Sequence, residues 1–159
     1  MNHALIAVRD MDRALRFYQE ILGQTVALDL GGRKRLSCGL TLLAQPDPSA
    51  ALPELCALYR LRAKALYIEV ADFDGLAARL ERHPEVALLR GPETYPWQQR
   101  GVLLCDPDGY LVEAAEPMRA VAYRCFRAGH TAAEAVRLTQ QPKALVQAWF
   151  DAYTAGEPL

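Results

Sequence analysis

The chain carries several side chains of a type and spacing suited to chemistry, but no complete catalytic set. Glu113 stands in the apolar run Leu111-Val112-Glu113-Ala114-Ala115. A carboxylate on a strand that faces an interior needs a donor, a cation or a ligand to offset its lost hydration. Arg100, a water cluster and a substrate are the candidates. Tyr95, Trp97 and Arg100 follow one another closely, and an aromatic plane beside a guanidinium suits a flat or anionic ligand. Trp97 would equally serve as a plug at the end of a barrel or in a dimer seam. Strand alternation sets Tyr67 and Glu69 on the same face as Ala65. In an apolar cavity either Glu113 or Glu69 has the chemistry of a general base. Acyl and phosphoryl transfer have no machinery here: there is no Gly-x-Ser-x-Gly, no glycine-rich phosphate loop and no cysteine spaced for pairing with a histidine. The histidines are His3, His83 and His130, and the cysteines, at 38, 56, 105 and 125, form no Cys-x-x-Cys pair. Buried thiols in a reducing compartment are the expectation for them.

These residues are positioned by a pattern the chain uses twice. His3-Ala-Leu-Ile-Ala-Val8 is an apolar strand that breaks at Arg9-Asp10 and enters an amphipathic helix; sixty-two residues later Ala65-Leu-Tyr-Ile-Glu-Val70 does the same before Asp72. Val8 matches Val70, Asp10 matches Asp72 and Asp12 matches Asp74, and each helix has an aspartate N-cap. After the first helix, closed by Gly23, strands are expected at 25–30, 33–38 and 39–44, with Gly31-Gly32 turning the first hairpin. After the second helix, at 72–83, strands are expected at 85–89, 99–105 and 110–115, with a loop through Gly91-Pro92 and a turn at Asp106-Pro107-Asp108-Gly109. The fold class is therefore α+β: two βαβββ modules, 1–44 and 64–116, joined by a linker at 45–63. Helices at 118–128, 131–140 and 142–154 make a C-terminal extension, 117–159, with a capping box at Thr131-x-x-Glu134. Its apolar set, Leu145, Val146, Trp149, Phe150 and Tyr153, is expected to pack on the modules or on a second copy.

With 159 residues, 52% apolar, and a net charge of −1, the chain has material for one sizeable core and no overall field for nucleic acid. Its apolar runs fall well short of the roughly 20 residues needed to cross a bilayer, and a cytoplasmic protein without membrane contact is expected. Residues 117–154 are mildly basic, five cations against two anions. A DNA reader usually presents a denser cationic face, so nucleic acid is disfavoured as a partner.

Taken together, His3 before Val8, the helix from Asp10 to Phe17-Tyr18, and Pro96-Trp97-Gln98-Gln99-Arg100 leading to Asp106-Pro107-Asp108-Gly109-Tyr110-Leu111-Val112-Glu113 resemble the vicinal oxygen chelate superfamily. This is the group of glyoxalase I, bleomycin-resistance proteins, fosfomycin-resistance enzymes and extradiol dioxygenases. The likeness covers roughly residues 1–116. It implies a mixed sheet curled around a cavity, commonly completed by a homodimer, with metal ligands on the first and last strands of each module. His3 and Glu113 occupy two of those ligand positions, whereas the matching positions hold Ala65 and, on module one's last strand, Leu43. Two donors of four fall short of the three that a stable catalytic site needs. The expectation is a small-molecule-binding protein without a complete metal site or other cofactor, forming a homodimer, with His3, Tyr67, Glu69, Tyr95, Trp97, Arg100 and Glu113 at the ligand. Two alternatives stay open. One is a lyase, isomerase or dioxygenase using a divalent metal on His3 and Glu113; the other is a ligand sensor whose helical tail binds a macromolecule.

Overall fold

The computed structural model describes residues 4–44 and 65–158. His3, Cys56 and the linker at 45–63 lie outside the described residues. Each module opens with a strand and a capped helix. β1 (Leu5–Val8) leads to α1 (Met11–Arg16), where the Asp10 carboxylate accepts from the Arg13 amide. α1 continues into one π-helical turn, Phe17–Ile21. β2 (Val26–Asp29), β3 (Arg33–Leu36) and β4 (Thr41–Ala44) follow. The second module has β5 (Ala65–Glu69), α2 (Phe73–Arg82) capped by Asp72, β6 (Leu88–Thr94), β7 (Arg100–Cys105) and β8 (Leu111–Ala115).

The two sheets share one design, in the orders β1-β4-β3-β2 and β5-β8-β7-β6. In each, the first strand runs parallel to the last and the remaining pairs are antiparallel. The α+β expectation of two βαβββ units thus holds. Gly91-Pro92 lies within β6 instead of in a loop. β6 is an edge strand with register shifts on both sides of Arg90, and an edge tolerates a proline that donates no ladder bond.

One face of each sheet is buried. Ile6, Val8, Leu36 and Leu42 of the first meet Ile68, Val70, Val102, Leu104, Val112 and Ala114 of the second in a core that also holds Ala14, Phe17, Tyr18, Ile21, Phe73 and Leu76 from the helices. Polar ties cross the modules at the Asp106-Pro-Asp-Gly turn. The buried Tyr18 hydroxyl donates to Asp106 Oδ2 over 2.9 Å, Arg9 Nε donates to Asp108 Oδ1 over 2.9 Å, and the Tyr110 hydroxyl donates to the Ala7 carbonyl over 3.2 Å. Burial, reinforced by Asp106, drives the Tyr18 pKa far up.

The tail forms α3 (Met118–Arg127), α4 (Ala132–Thr139) and α5 (Lys143–Thr154). Its apolar residues pack on one another, contrary to the expectation of cover from the modules or a second copy. Phe126 meets Phe150 edge-on with ring centroids 5.1 Å apart, Tyr123 meets Tyr153 at 5.3 Å, and Val146 and Ala135 are fully buried between them. Three short helices close a small core of their own because each contributes an apolar stripe at helical spacing. Leu145 alone of the expected set stays exposed, at 41%.

Candidate functional site

Alternation and register determine what the open face of the second sheet presents. Tyr67 lies beside Glu113 on β8, and Glu113 beside Leu103 on β7, while Glu69 and Gly101 both neighbour Ala115. The helix-facing partners, Ile68, Val102 and Val112, are buried, whereas Tyr67 is 50% exposed and Glu69 is exposed.

The loop between β6 and β7 brings two aromatic side chains onto this face. Tyr95 to Gln99 close a tight turn, with the Tyr95 amide donating to the Gln99 carbonyl (2.8 Å) and the Gln98 amide to the Tyr95 carbonyl (2.9 Å). Gln98 takes a φ of 67° to complete it. The Tyr95 ring then lies flat across Gly101: a Cβ at that position would stand 2.7 Å from the ring. Glycine inside β7 is therefore a requirement of the site, which lets a ring approach the backbone.

A continuous set of contacts results. The Tyr95 hydroxyl donates to Glu113 Oε1 (3.2 Å), and its ring stands 4.8 Å from that of Trp97, tilted by 36°. Trp97 Nε1 donates to Gln99 Oε1 (2.8 Å), while Gln99 Nε2 donates to the Tyr67 hydroxyl (2.8 Å) and to the Glu116 carbonyl (2.6 Å). Gln99 is buried and fixes the orientation of both Tyr67 and Trp97. Burial raises the Tyr95 pKa, helped by the Glu113 carboxylate, and burial likewise raises that of Tyr67. Both phenols therefore stay protonated at neutral pH; that of Tyr95 donates to Glu113, and that of Tyr67 accepts from Gln99. The Arg90 guanidinium sits 5.9 Å from the centre of the Tyr95 ring and pairs with Glu93 (2.9 Å).

Of the residues expected at a ligand, Tyr67, Tyr95, Trp97 and Glu113 come together, with Glu69 on the same face. Arg100 does not join them. As the neighbour of Gly101 it points to the opposite side, where its guanidinium pairs with Asp74 (2.5 Å) and Glu116 (2.7 Å) and covers the Phe73 ring at 5.1 Å. The carboxylate that meets Arg100 is thus Glu116, 4% exposed, which also accepts from Arg124 Nη2 (2.9 Å). Burial pushes the Glu116 carboxyl up, but hydrogen bonds from Arg100 together with the Arg124 charge outweigh it and hold the pKa below its ordinary value. Gln99 and Gly101 went unmarked in the sequence reading. The readable signal was an interior strand glycine two residues before paired apolar positions.

The first sheet's open face differs in charge. Leu5, Leu28, Leu30, Arg33, Arg35 and Thr41 line a shallow groove of about 310 Å³. A larger cleft of about 660 Å³ runs between the β3–β4 turn and β5, and reaches Cys38, Ala65 and Tyr67. Among the described residues no three His, Cys, Asp or Glu side chains gather to hold a metal ion. Ala65 pairs with Leu111 and Leu43 with Ala7, so neither position adds a donor beside Glu113. His3, the other expected ligand, lies outside the described residues. His83 and His130 are spent elsewhere, His83 beside Glu85 (2.9 Å) and His130 near Glu134 (4.0 Å).

Residues 1–119 match a family model described as a glyoxalase-like domain. Similar solved structures include a protein of unknown function from Agrobacterium tumefaciens str. C58, 25% identical, with a TM-score of 0.56 over 72% of this chain and 91% of that one. TioX from Micromonospora sp. ML1 is 20% identical, with a TM-score of 0.55 over 74% of this chain and 95% of that one. A virulence protein from Salmonella typhimurium is 22% identical, with a TM-score of 0.50 over 73% and 94%. All three cover less than the full length of this chain.

Proposed function

The chain belongs to the glyoxalase-like domain family of the vicinal oxygen chelate superfamily, and we propose that within it this protein binds a small, flat molecule on the open face of the second sheet. The observation that carries the reading is the stacked Tyr95–Trp97 pair held against Glu113. The part-exposed Trp97 ring, backed by the buried Tyr95 ring, offers apolar area at low entropic cost, and a carboxylate beside them offers an acceptor. Arg100, the cation that would have favoured an anionic ligand, is committed to Asp74 and Glu116. Glu113 and Glu69 therefore set the polarity, and the ligand class is a planar aromatic carrying an amine or other donor group. The arrangement supports binding of such a molecule.

A second copy of the chain completes the cavity in this reading. The first sheet exposes Leu5 at 50%, Leu28 at 41% and Leu30 at 63% beside Arg33 and Arg35, and the second exposes Tyr67 at 50% beside Glu69. Apolar patches rimmed with opposite charge suit a face-to-face pairing of one sheet with the other sheet of a partner. A thermal-shift screen of the full chain against planar aromatic amines tests the proposal. A rise in Tm that disappears in Glu113→Gln supports it; no response, or one unchanged in Glu113→Gln, refutes it.

A further inference from the structure

The helical tail reaches into the loop that carries the aromatic pair. Arg124 stands on α3 between Tyr123 and Cys125, which are buried in the tail core with Phe126. Its backbone position is therefore set by the packing of the three helices on one another. The side chain leaves that core and crosses to the second module, where Nη2 donates to the Gln98 carbonyl (2.6 Å) and to Glu116 Oε2 (2.9 Å). One nitrogen thus spends its N–H groups on two acceptors, one in the loop and one at the foot of the tail.

The Gln98 carbonyl depends on that donor. Gln98 has a φ of 67°, a conformation that a side chain makes costly unless the surroundings hold it. Its amide meets the Tyr95 carbonyl (2.9 Å), but among the described residues no backbone amide reaches its own carbonyl. The two residues that follow are fastened at the same place. Gln99 Nε2 donates to the Glu116 carbonyl (2.6 Å), just before Pro117 caps α3. Arg100 gives the Glu116 carboxylate its amide (3.1 Å) and its guanidinium (2.7 Å). Gln98, Gln99 and Arg100 are therefore all bound to Glu116 or Arg124, and Glu116 is buried. Hydrogen bonds that involve an ionised group are the strong ones.

This clamp closes on the residues of the binding face. Trp97 precedes Gln98, stacks on Tyr95 and donates to Gln99 Oε1, so a shift at Gln98 displaces the indole at both its backbone and its nitrogen. The family match ends at residue 119, and Arg124 lies beyond it. The contribution comes from the tail and not from the shared domain.

We infer that Arg124 is a positioning residue for the aromatic loop, through which the helical tail sets the geometry of Trp97 and Tyr95, with the effect on ligand affinity resting on the small-molecule reading above. Arg124 touches no ligand; it acts through the Gln98 carbonyl.

The test uses the full chain carrying Trp149→Phe, in which Trp97 is the sole tryptophan, with and without Arg124→Gln. Glu116 keeps both bonds from Arg100 in the variant, and the Arg124 side chain is 41% exposed, so the fold survives; circular dichroism and a urea melt check it. A role confined to holding the tail would lower the urea midpoint and leave the native Trp97 signal where it was. Positioning predicts that in the folded variant the Trp97 emission shifts and acrylamide quenches it more strongly. The dissociation constant for a planar aromatic amine should rise about tenfold, as when about a tenth of the loops stand in the competent geometry. Should Arg124→Gln not fold, Arg124→Lys is read in the same way: it keeps a cation beside Glu116, but its nitrogen stands one atom nearer the backbone than Nη2 and falls short of the Gln98 carbonyl. Emission and acrylamide quenching equal to those of the parent overturn the inference, as does an altered spectrum with unchanged affinity for an amine that the parent binds. If no amine binds the parent, the small-molecule reading falls, and the spectra alone decide whether Arg124 positions the loop.

Discussion

The Tyr95 hydroxyl donates to Glu113 Oε1 across 3.2 Å, and the ring that carries it can reach that position because residue 101 has no side chain. The relationship links a backbone requirement to the proposed binding face: the glycine admits the ring, the ring meets the carboxylate, and Trp97 stacks on the ring.

Replacing Gly101 by alanine sets a methyl group into the Tyr95 ring, with its nearest atom 2.7 Å away. We expect Gly101→Ala to lose roughly 1–3 kcal/mol through overpacking, measured by urea denaturation. The Trp97 emission should shift as its neighbour moves. A variant of unchanged stability and spectrum would contradict the placement of Tyr95.

Glu116 predicts the acid limb of the stability curve. Its folded pKa is lowered from the usual 4.5, so the unfolded chain binds the proton first as pH falls. The stabilisation is present above about pH 4.5 and is lost as pH drops through the lower folded value. Glu116→Gln should flatten that limb and lower stability at pH 7 by about 1–3 kcal/mol, since Arg100 and Arg124 are partly solvated and lose only part of their pairing. Denaturation midpoints between pH 3 and pH 7 check both effects; an unchanged acid slope would count against the pairing.

Tyr18→Phe removes the donor from a buried bond between the modules. Tyr18 is 0% exposed and Asp106 5%, so the carboxylate is left with the backbone amides of Asp108 and Tyr110. A loss of about 1–3 kcal/mol is expected, read by chemical denaturation, and a neutral variant would contradict the role of this tie.

The repeat was legible because its parts are local. Asp10 and Asp72 each cap a helix after an apolar strand, and alternation around Tyr67 and Glu113 identified the shared face before any register was known. What stayed hidden depends on contacts between distant residues. Arg100 follows the aromatic loop directly, but one step of strand alternation turns it toward Asp74 and Glu116. Gln99 looked like one amide among two, and only the folded turn brings it between Trp97 and Tyr67. In the tail, the periodicity revealed an apolar stripe without its partner, because helix-to-helix packing among α3, α4 and α5 is set by turn geometry at Gly129 and Gln140. The expected ligand position at His3 and the linker at 45–63 lie outside the described residues.

The most direct measurement of the binding proposal uses the fluorescence of Trp97. In a Trp149→Phe background it is the sole remaining tryptophan, and it stacks on Tyr95 at 4.8 Å. Titration of that full-length variant with planar aromatic amines should give saturable quenching by at least one of them. Glu113→Gln should weaken that binding about tenfold or more, the worth of a charge-assisted hydrogen bond. Absence of quenching throughout the panel, or an affinity unchanged by Glu113→Gln, would contradict the account.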